Sequence, residues 1–203
     1  MGCIRKIRKF IIEMNELIKN EIVKSIDVKY DVLNNPKILT QIENLVNDCL
    51  VALKSGGKVI FCGNGGSFAD SQHLAAEFVS RLRFDRAPLS SMALGTNSSN
   101  MSAIGNDYGY DQVFKREILA LGNNKDVFIP ISTSGNSSNV IEAINAAKEK
   151  GIKTIAFTGG TGGKMKNICE CIIVPSNSTE KIQEVHIMLG HILCYLIEEM
   201  TFK

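Results

Sequence analysis

A repeated pattern in residues 58–203 constrains the fold more than any other feature of the sequence. A short apolar run, a turn of small polar residues and an amphipathic stretch recur, with the apolar runs at residues 58–62, 127–131, 154–157 and 171–174. Short strands that alternate with helices of this length form βαβ units, in which helices cover both faces of a parallel sheet. The repeat therefore predicts an α/β fold with a doubly wound parallel sheet flanked by helices.

Two amphipathic segments precede this repeat. Apolar residues recur every three or four positions from Ile4 to Ile26 and again from Ile38 to Leu53, and the second pattern ends at Ser55-Gly56-Gly57. Such spacing is typical of helices with one apolar face. We therefore divide the chain into an N-terminal helical extension, residues 1–35, and one domain, residues 36–203. The apolar face of the first helix packs either on this domain or on a partner subunit.

Charge and hydropathy exclude several classes of partner. The formal charge of +2 comes from interleaved acidic and basic residues, which leaves no basic stripe for nucleic acid. Apolar stretches end well before the roughly 18–20 residues of a membrane span, and charges at residues 13–21 interrupt any signal-peptide core. The six cysteines lie mostly in apolar runs, as reduced buried thiols do. We therefore expect a cytoplasmic protein with no nucleic-acid or membrane partner.

Two of the polar turns, residues 63–67 and 132–137, predict the ligand site. Ligands of parallel sheets bind beyond the carboxyl ends of the strands. A turn of small residues that enters a helix presents backbone N–H groups at the positive end of the helix dipole, which favours phosphate. Either turn alone could need glycine only for its geometry, but together they favour a phosphorylated small molecule. Neither turn has the P-loop pattern, and the first lacks the third glycine of the dinucleotide fingerprint.

Few side chains in this sequence suit metal binding or proton transfer. His73 and Glu77 lie four residues apart on one face of a predicted helix, a spacing that suits two metal ligands, a base beside a histidine, or a solvated pair. Gln183 lies one turn before His186, whereas His191 lies about 12 Å of helical rise beyond Gln183. Spacing alone would therefore pair Gln183 with His186.

These residues together resemble the phosphoheptose isomerases, which belong to the SIS (sugar isomerase) fold group. The similarity begins near residue 40, continues to the C-terminus, and is specific through the order of its blocks rather than through any single block. The matching blocks are Gly63-Asn64-Gly65-Gly66-Ser67, Ala69-Asp70, Gln72-His73, Ala75-Ala76-Glu77, Ala103-Ile104-Gly105-Asn106-Asp107-Tyr108-Gly109-Tyr110, Ile131-Ser132-Thr133-Ser134-Gly135-Asn136-Ser137 and Ile182-Gln183-Glu184-Val185-His186-Ile187.

The resemblance implies a SIS-type sheet and conversion of D-sedoheptulose 7-phosphate to D-glycero-D-manno-heptose 7-phosphate through an enediol, toward the surface heptoses of bacterial lipopolysaccharide or capsule. It implies a homotetramer with sites at subunit contacts. It also implies a zinc ion held by residues that match His73, Glu77, Gln183 and His191, with Glu77 as base and His191 as acid. The residues expected to bind substrate are Asn64, Gly65, Ser67, Asp107, Ser132, Thr133, Ser134, Ser137 and Gln183.

Two positions depart from the family pattern. Glu180 replaces an acidic residue that is most often Asp, and Gly95-Thr96-Asn97 replaces a segment that often ends in Asp. These departures bear on substrate preference more than on reaction class. Two other interpretations stay open: a non-catalytic SIS protein that senses sugar phosphates or binds a replication initiator, and an isomerase of another sugar phosphate, such as arabinose 5-phosphate.

Overall fold

The computed structural model describes the backbone of residues 2–203 and the side chains of residues 13–203. The strands are β1 (Val59–Gly63), β2 (Ser91–Ala93), β3 (Val127–Ser132), β4 (Lys153–Gly159) and β5 (Glu170–Val174). The helices are α1 (Gly2–Leu33), α2 (Pro36–Lys54), α3 (Gly66–Val79), α4 (Ser98–Tyr108), α5 (Val113–Leu121), α6 (Ser138–Glu149) and α7 (Thr179–Phe202), with short 3₁₀ turns at Tyr110–Gln112 and Met165–Asn167.

All five strands are parallel and lie in the order β2-β1-β3-β4-β5. The chain runs from β1 to one side of the sheet and then returns to the other side, so the strand order reverses between β1 and β3. In register, Gly63 at the end of β1 pairs with Ile131 of β3. Ligands of such sheets bind at this reversal, beyond the carboxyl ends of the two strands.

Helices cover both faces of the sheet, as the repeat predicts. Alternate residues of β1 enter different cores, because successive side chains of a strand point to opposite faces: Val59 and Phe61 join one cluster, and Ile60 and Cys62 join the other. Helices α2, α3 and α7 pack on the first face, and α5 and α6 on the second. The doubly wound α/β architecture is confirmed.

The sequence patterns located the elements that carry the repeat, and they missed those between residues 83 and 126. β2 has three residues, and α4 has no buried residue, so neither produces a strong hydrophobic period. α5 has nine residues and is followed by Gly122. These elements form one edge of the sheet and part of the second face.

α1 precedes the domain and packs on it through its last turns. Val32 is buried, and Ser25 and Lys29 both contact the carboxylate of Glu184 on α7. Earlier apolar side chains of α1, such as Ile22 at 55% exposure, remain uncovered. The apolar residues of α1 before residue 13 lie outside the described side chains, and the division of the chain at residues 35 and 36 stays a prediction.

α7 is, among the described residues, the one helix that is long and apolar enough by composition to cross a membrane, and 44% of that apolar window is buried. Its buried side chains pack with those of α2 and α3 in the first core. A core helix of a globular fold has the same length and composition, so this helix gives little support for a membrane span.

Candidate functional site

The contact between α3 and α7 places three of the predicted ligands side by side. The two helices approach closely at Gly190, where a Cβ atom would lie 2.5 Å from Cδ2 of Leu74. Next to this contact, His73 comes just before Leu74 and His191 just after Gly190, and Nε2 of His191 lies 3.4 Å from Nε2 of His73. Nε2 of His73 also lies 3.1 Å from Oε1 of Glu77. The i, i+4 pair of α3 therefore meets the last histidine of α7.

This cluster has the composition and size of a metal site. One ligand atom from each of His73, Glu77 and His191 can be chosen so that all three lie within 4.8 Å of one another. Two imidazole nitrogens and one carboxylate oxygen are a common set for zinc. Burial lowers the pKa of His191, the neighbouring His73 lowers it further, and Glu77 opposes this shift. A lowered pKa favours the neutral imidazole, the form that binds metals.

Gln183, the fourth predicted ligand, lies at the beginning of α3. A Cβ atom on Gly66 would lie 2.7 Å from Nε2 of Gln183, so glycine is what lets this amide reach the first turn of the helix. Gly66 precedes His73 by about two turns of α3, and Gln183 precedes His191 by about 12 Å of rise on α7. Its role as a metal ligand therefore stays a prediction, whereas its position beside the predicted phosphate turn is a feature of the structure.

His186 lies apart from this cluster. Its side chain has no exposed surface, and Nε2 lies 3.1 Å from the backbone oxygen of Thr158 on β4. The pairing of Gln183 with His186 that spacing alone suggests is therefore wrong for this fold, because α7 directs His186 toward the sheet and His191 toward α3.

Two helix N-termini meet at the strand reversal. α3 begins after Gly65, which has a φ of +55°, and α6 begins after Ser137; neither N-cap side chain bonds to its helix. The N–H groups of both first turns are thus left without a side-chain cap, which suits the binding of an anion. Ser67 is buried within the first turn of α3.

The turn at residues 132–137 is held in place by close local contacts and lines a cleft. The Ser132 and Ser137 hydroxyls lie 3.0 Å apart, and Gly135, with a φ of +64°, packs so closely that a Cβ atom would lie 2.2 Å from the oxygen of Gly162. Thr133 and Ser134 face a cleft of about 220 Å³ that is shared with residues at the ends of β4 and β5. Two of the predicted phosphate residues of this turn, Thr133 and Ser134, therefore border one concave surface.

Asn64 and Asp107 occupy different environments. Asn64 follows β1 directly and bonds to Asn139 and Tyr110. Asp107 is exposed at the end of α4, and among the described hydrogen bonds its carboxylate accepts one from Asn106 alone. The structure thus places Asn64 within the site and shows no contact between Asp107 and the other predicted site residues.

The two departures from the family pattern have local structural roles. Asn97 is the N-cap of α4, where Oδ1 accepts hydrogen bonds from the N–H groups of Ser99 and Asn100 at 3.0 and 3.2 Å. Asn and Asp are about equally good N-caps, so this replacement keeps the helix start. Glu180 lies in the first turn of α7, and the hydroxyl of Ser178 donates to it. A hydrogen bond from Ser178 lowers the pKa of Glu180.

Asp70 and Asn139 lie at the site but carried no role in the sequence interpretation. Asp70 precedes His73 by one turn, and its Oδ2 is buried without a hydrogen-bond partner among the described residues. Burial raises the pKa of Asp70, and His73 opposes that shift. The i, i+3 spacing of Asp70 and His73 could have signalled the first of these residues. No sequence pattern relates Asn139 to Asn64, because the contact joins two separate βα turns.

Comparison with known proteins gives the family. The SIS domain matches residues 11–159. The phosphoheptose isomerase of Aneurinibacillus thermoaerophilus is 51% identical over 191 residues, which cover 94% of this chain and 96% of that protein, and the second phosphoheptose isomerase of Campylobacter jejuni is 47% identical over 93% and 94%.

A solved structure agrees with the sequence relatives. The phosphoheptose isomerase of Neisseria gonorrhoeae superposes with a TM-score of 0.86 at 39% identity, and the alignment covers 92% of this chain and 99% of that one. Fold, order of motifs and full-length similarity agree, and the chain belongs to the phosphoheptose isomerase family of SIS-domain enzymes.

Proposed function

We propose that this protein converts D-sedoheptulose 7-phosphate to D-glycero-D-manno-heptose 7-phosphate. The observation that carries the proposal is that the carboxylate of Glu77 lies beside the imidazoles of His73 and His191. Glu77 and His73 lie on α3, the helix that begins at the predicted phosphate turn. A ketose–aldose isomerisation needs a base at carbon and an acid at oxygen, and this cluster offers both. The full-length similarity to phosphoheptose isomerases supports the same reaction.

The phosphate binds at the paired helix N-termini. The N–H groups of the first turns of α3 and α6, with the hydroxyls of Ser67, Ser132 and Ser137, supply the donors, while Thr133 and Ser134 line the adjoining cleft. Gly65 lets the chain turn into α3 beside the phosphate. Sugar hydroxyls bind to Asn64, Asp107 and Gln183. The amide of Gln183 lies against Gly66, at the first turn of α3.

Glu77 and His191 then divide the proton transfers between them. Glu77 takes a proton from C1 of the open-chain ketose while His191 donates a proton to the oxygen on C2, which gives an enediol. His191 next takes the proton from the oxygen on C1, and Glu77 returns a proton to C2, which gives the aldose. Each residue ends in its starting protonation state, so the cycle balances.

The ligand set favours zinc as the cofactor. His73, Glu77 and His191 would hold the ion, with Gln183 as the predicted fourth ligand. Glu77 has a second carboxylate oxygen, and a neutral His191 has an N–H on its other ring nitrogen, so each keeps one group for the proton transfers. When bound, zinc would polarise the substrate carbonyl as a Lewis acid. The donor set described above is the physical support for this assignment.

The enzyme is proposed to act in the cytoplasm as a homotetramer with sites at subunit contacts. An open, largely apolar groove of about 500 Å³ adjoins His191 and is lined by Leu82, Arg83, Ile187, Met188, Ile192 and Tyr195. Apolar surface next to a polar site is what a neighbouring subunit would cover. The product would feed the surface heptoses of lipopolysaccharide or capsule.

The reaction is tested by incubating the zinc-loaded protein with sedoheptulose 7-phosphate in deuterated water and following the sugar by NMR. We expect aldoheptose signals, with deuterium at C2 to the extent that Glu77 exchanges its proton with solvent. Glu77→Gln keeps the shape of the side chain and should lower turnover at least about a hundredfold, since general-base catalysis is worth about 10²–10⁴. Wild-type turnover by Glu77→Gln, or an unchanged spectrum from folded, metal-replete wild type, would contradict the proposal.

A further inference from the structure

The carboxamide of Asn64 is held by a reciprocal pair of hydrogen bonds. Nδ2 of Asn64 donates to Oδ1 of Asn139 at 2.9 Å, and Nδ2 of Asn139 donates to Oδ1 of Asn64 at 2.9 Å. Asn64 follows β1, whereas Asn139 is the second residue of α6, which follows β3. The pair therefore joins the two phosphate turns on either side of the strand reversal.

A third residue, Tyr110, also bonds to this amide, from a segment that lies between Asn64 and Asn139 in the sequence. The hydroxyl of Tyr110, in the 3₁₀ turn after α4, donates to Oδ1 of Asn64 at 3.1 Å. The next residue, Asp111, accepts a hydrogen bond from the Ser138 hydroxyl at the start of α6. Three segments far apart in the sequence thus meet at one side chain.

One hydrogen-bonding group of the Asn64 amide has no partner among the described residues. A carboxamide has two acceptor lone pairs and two N–H groups. Oδ1 of Asn64 accepts from Asn139 and Tyr110, so both lone pairs are used, and one N–H is given to Asn139. Among the described residues, the second N–H has no acceptor. Asn139 is only 2% exposed, so its amide is itself held in place.

We propose that Asn139 and Tyr110 are positioning residues that orient the Asn64 carboxamide so that its second N–H donates to a hydroxyl oxygen of the bound sugar phosphate. The proposal rests on the sugar-phosphate isomerase function proposed above. It adds two residues that touch no substrate and act through Asn64. A rotated or mobile amide would present its acceptor or no fixed group to the sugar, which would weaken binding.

The test is a double-mutant cycle on the full-length enzyme with sedoheptulose 7-phosphate. Tyr110→Phe and Asn139→Leu should each lower kcat/KM by about three- to tenfold, the range of one lost hydrogen bond, and chiefly by raising KM. Asn64→Ala should lower it at least as much. Because both residues act through Asn64, adding Tyr110→Phe or Asn139→Leu to Asn64→Ala should change kcat/KM by less than about twofold.

A purely structural role gives a different pattern. If Tyr110→Phe and Asn139→Leu lower kcat/KM by the same factor in the Asn64→Ala background as in wild type, or if Asn64→Ala leaves KM unchanged, the proposal is wrong. Tyr110 is 57% exposed, and Tyr110→Phe removes only one hydroxyl, so this variant should fold. It therefore tests the proposal even if Asn139→Leu fails to fold. Tyr30→Phe, which deletes a hydroxyl at a 64% exposed site on α1 outside this network, is the matched control and should match wild type.

Whether the protein catalyses the isomerisation at all is decided by a separate measurement. Wild-type turnover tests the isomerase, whereas the cycle can also be measured as the Kd for sedoheptulose 7-phosphate by calorimetry. If wild type binds the sugar phosphate without turning it over, the Kd cycle decides on the positioning residues. If wild type neither binds nor isomerises this sugar phosphate, both proposals are wrong.

Discussion

At the scale of single residues, the three histidines differ in burial, and this difference distinguishes the two that can take part in the chemistry from the one that supports the fold. His73 and His191 retain exposed surface and meet Glu77, whereas His186 is fully buried and contacts the oxygen of Thr158. Sequence spacing could predict that His73 and Glu77 share a face of α3. It could not show which face of α7 meets α3, because that depends on the packing of two helices separated by more than a hundred residues.

The buried His186 predicts a pH dependence of stability. Burial lowers its pKa from 6.5 to about 4, although the hydrogen bond to Thr158 opposes the shift. The unfolded chain therefore binds a proton below about pH 6.5 that the folded chain takes up only near pH 4, and stability falls over this window as pH decreases. The slope from one such group approaches about 1.4 kcal/mol per pH unit.

His186→Gln should remove that part of the slope, since glutamine retains an N–H for Thr158 and has no proton to gain. The measurement is the free energy of unfolding by urea between pH 7 and pH 4 for wild type and variant. Other titrating groups act in both proteins, so the difference between the slopes isolates His186. Parallel curves for the two proteins would contradict the assignment.

At the scale of elements, the repeat of strand, polar turn and helix was sufficient to predict the sheet. β1 and β3 are wholly buried apolar runs, and each leads into a turn whose small residues signal a helix start. The residues from 83 to 126 could not be predicted in the same way. α4 lies at the surface without a buried side chain and β2 is three residues long, so tertiary packing rather than periodicity decides their structure.

The close contact of α3 and α7 depends on Gly190. Alanine at this position would place a Cβ atom 2.5 Å from Cδ2 of Leu74, and Leu74 is fully buried. Gly190→Ala should therefore push the helices apart, destabilise the fold by about 1–3 kcal/mol and weaken zinc binding by separating His191 from His73.

Unfolding midpoints and zinc titrations of Gly190→Ala, Leu74→Ala and the double variant test this contact. The double variant should be more stable than the sum of the single effects predicts, because the smaller side chain on α3 makes room for the new methyl group. A Gly190→Ala protein with wild-type stability and wild-type zinc affinity would show that α7 does not depend on this contact.

At the scale of the whole molecule, the sequence motifs predicted which residues would carry the chemistry, and the structure supplies their spatial relations. Gln183 shows the difference: its motif marks it as a site residue, while the structure places it against Gly66 and leaves its metal contact untested. Oligomeric contacts are a further relation that one chain does not contain. The uncovered apolar side chains of α1 indicate where such a contact would form.

Ile18, Ile22 and Ile26 share one face of α1 at i, i+4 spacing and are 53–57% exposed, so the chain itself does not bury them. A surface of this kind is typical of an interface, and we expect wild type to have about four times the 22.2 kDa mass of the chain by light scattering. Ile18→Glu combined with Ile22→Glu should lower that mass without changing the helical circular dichroism, because neither side chain belongs to the described core. Asn20→Glu with Lys24→Gln, at exposed positions on the opposite side of the same helix, changes the net charge by the same amount and should leave the mass unchanged. A wild-type monomer, or an Ile18→Glu and Ile22→Glu protein of wild-type mass, would show that this face of α1 does not hold subunits together.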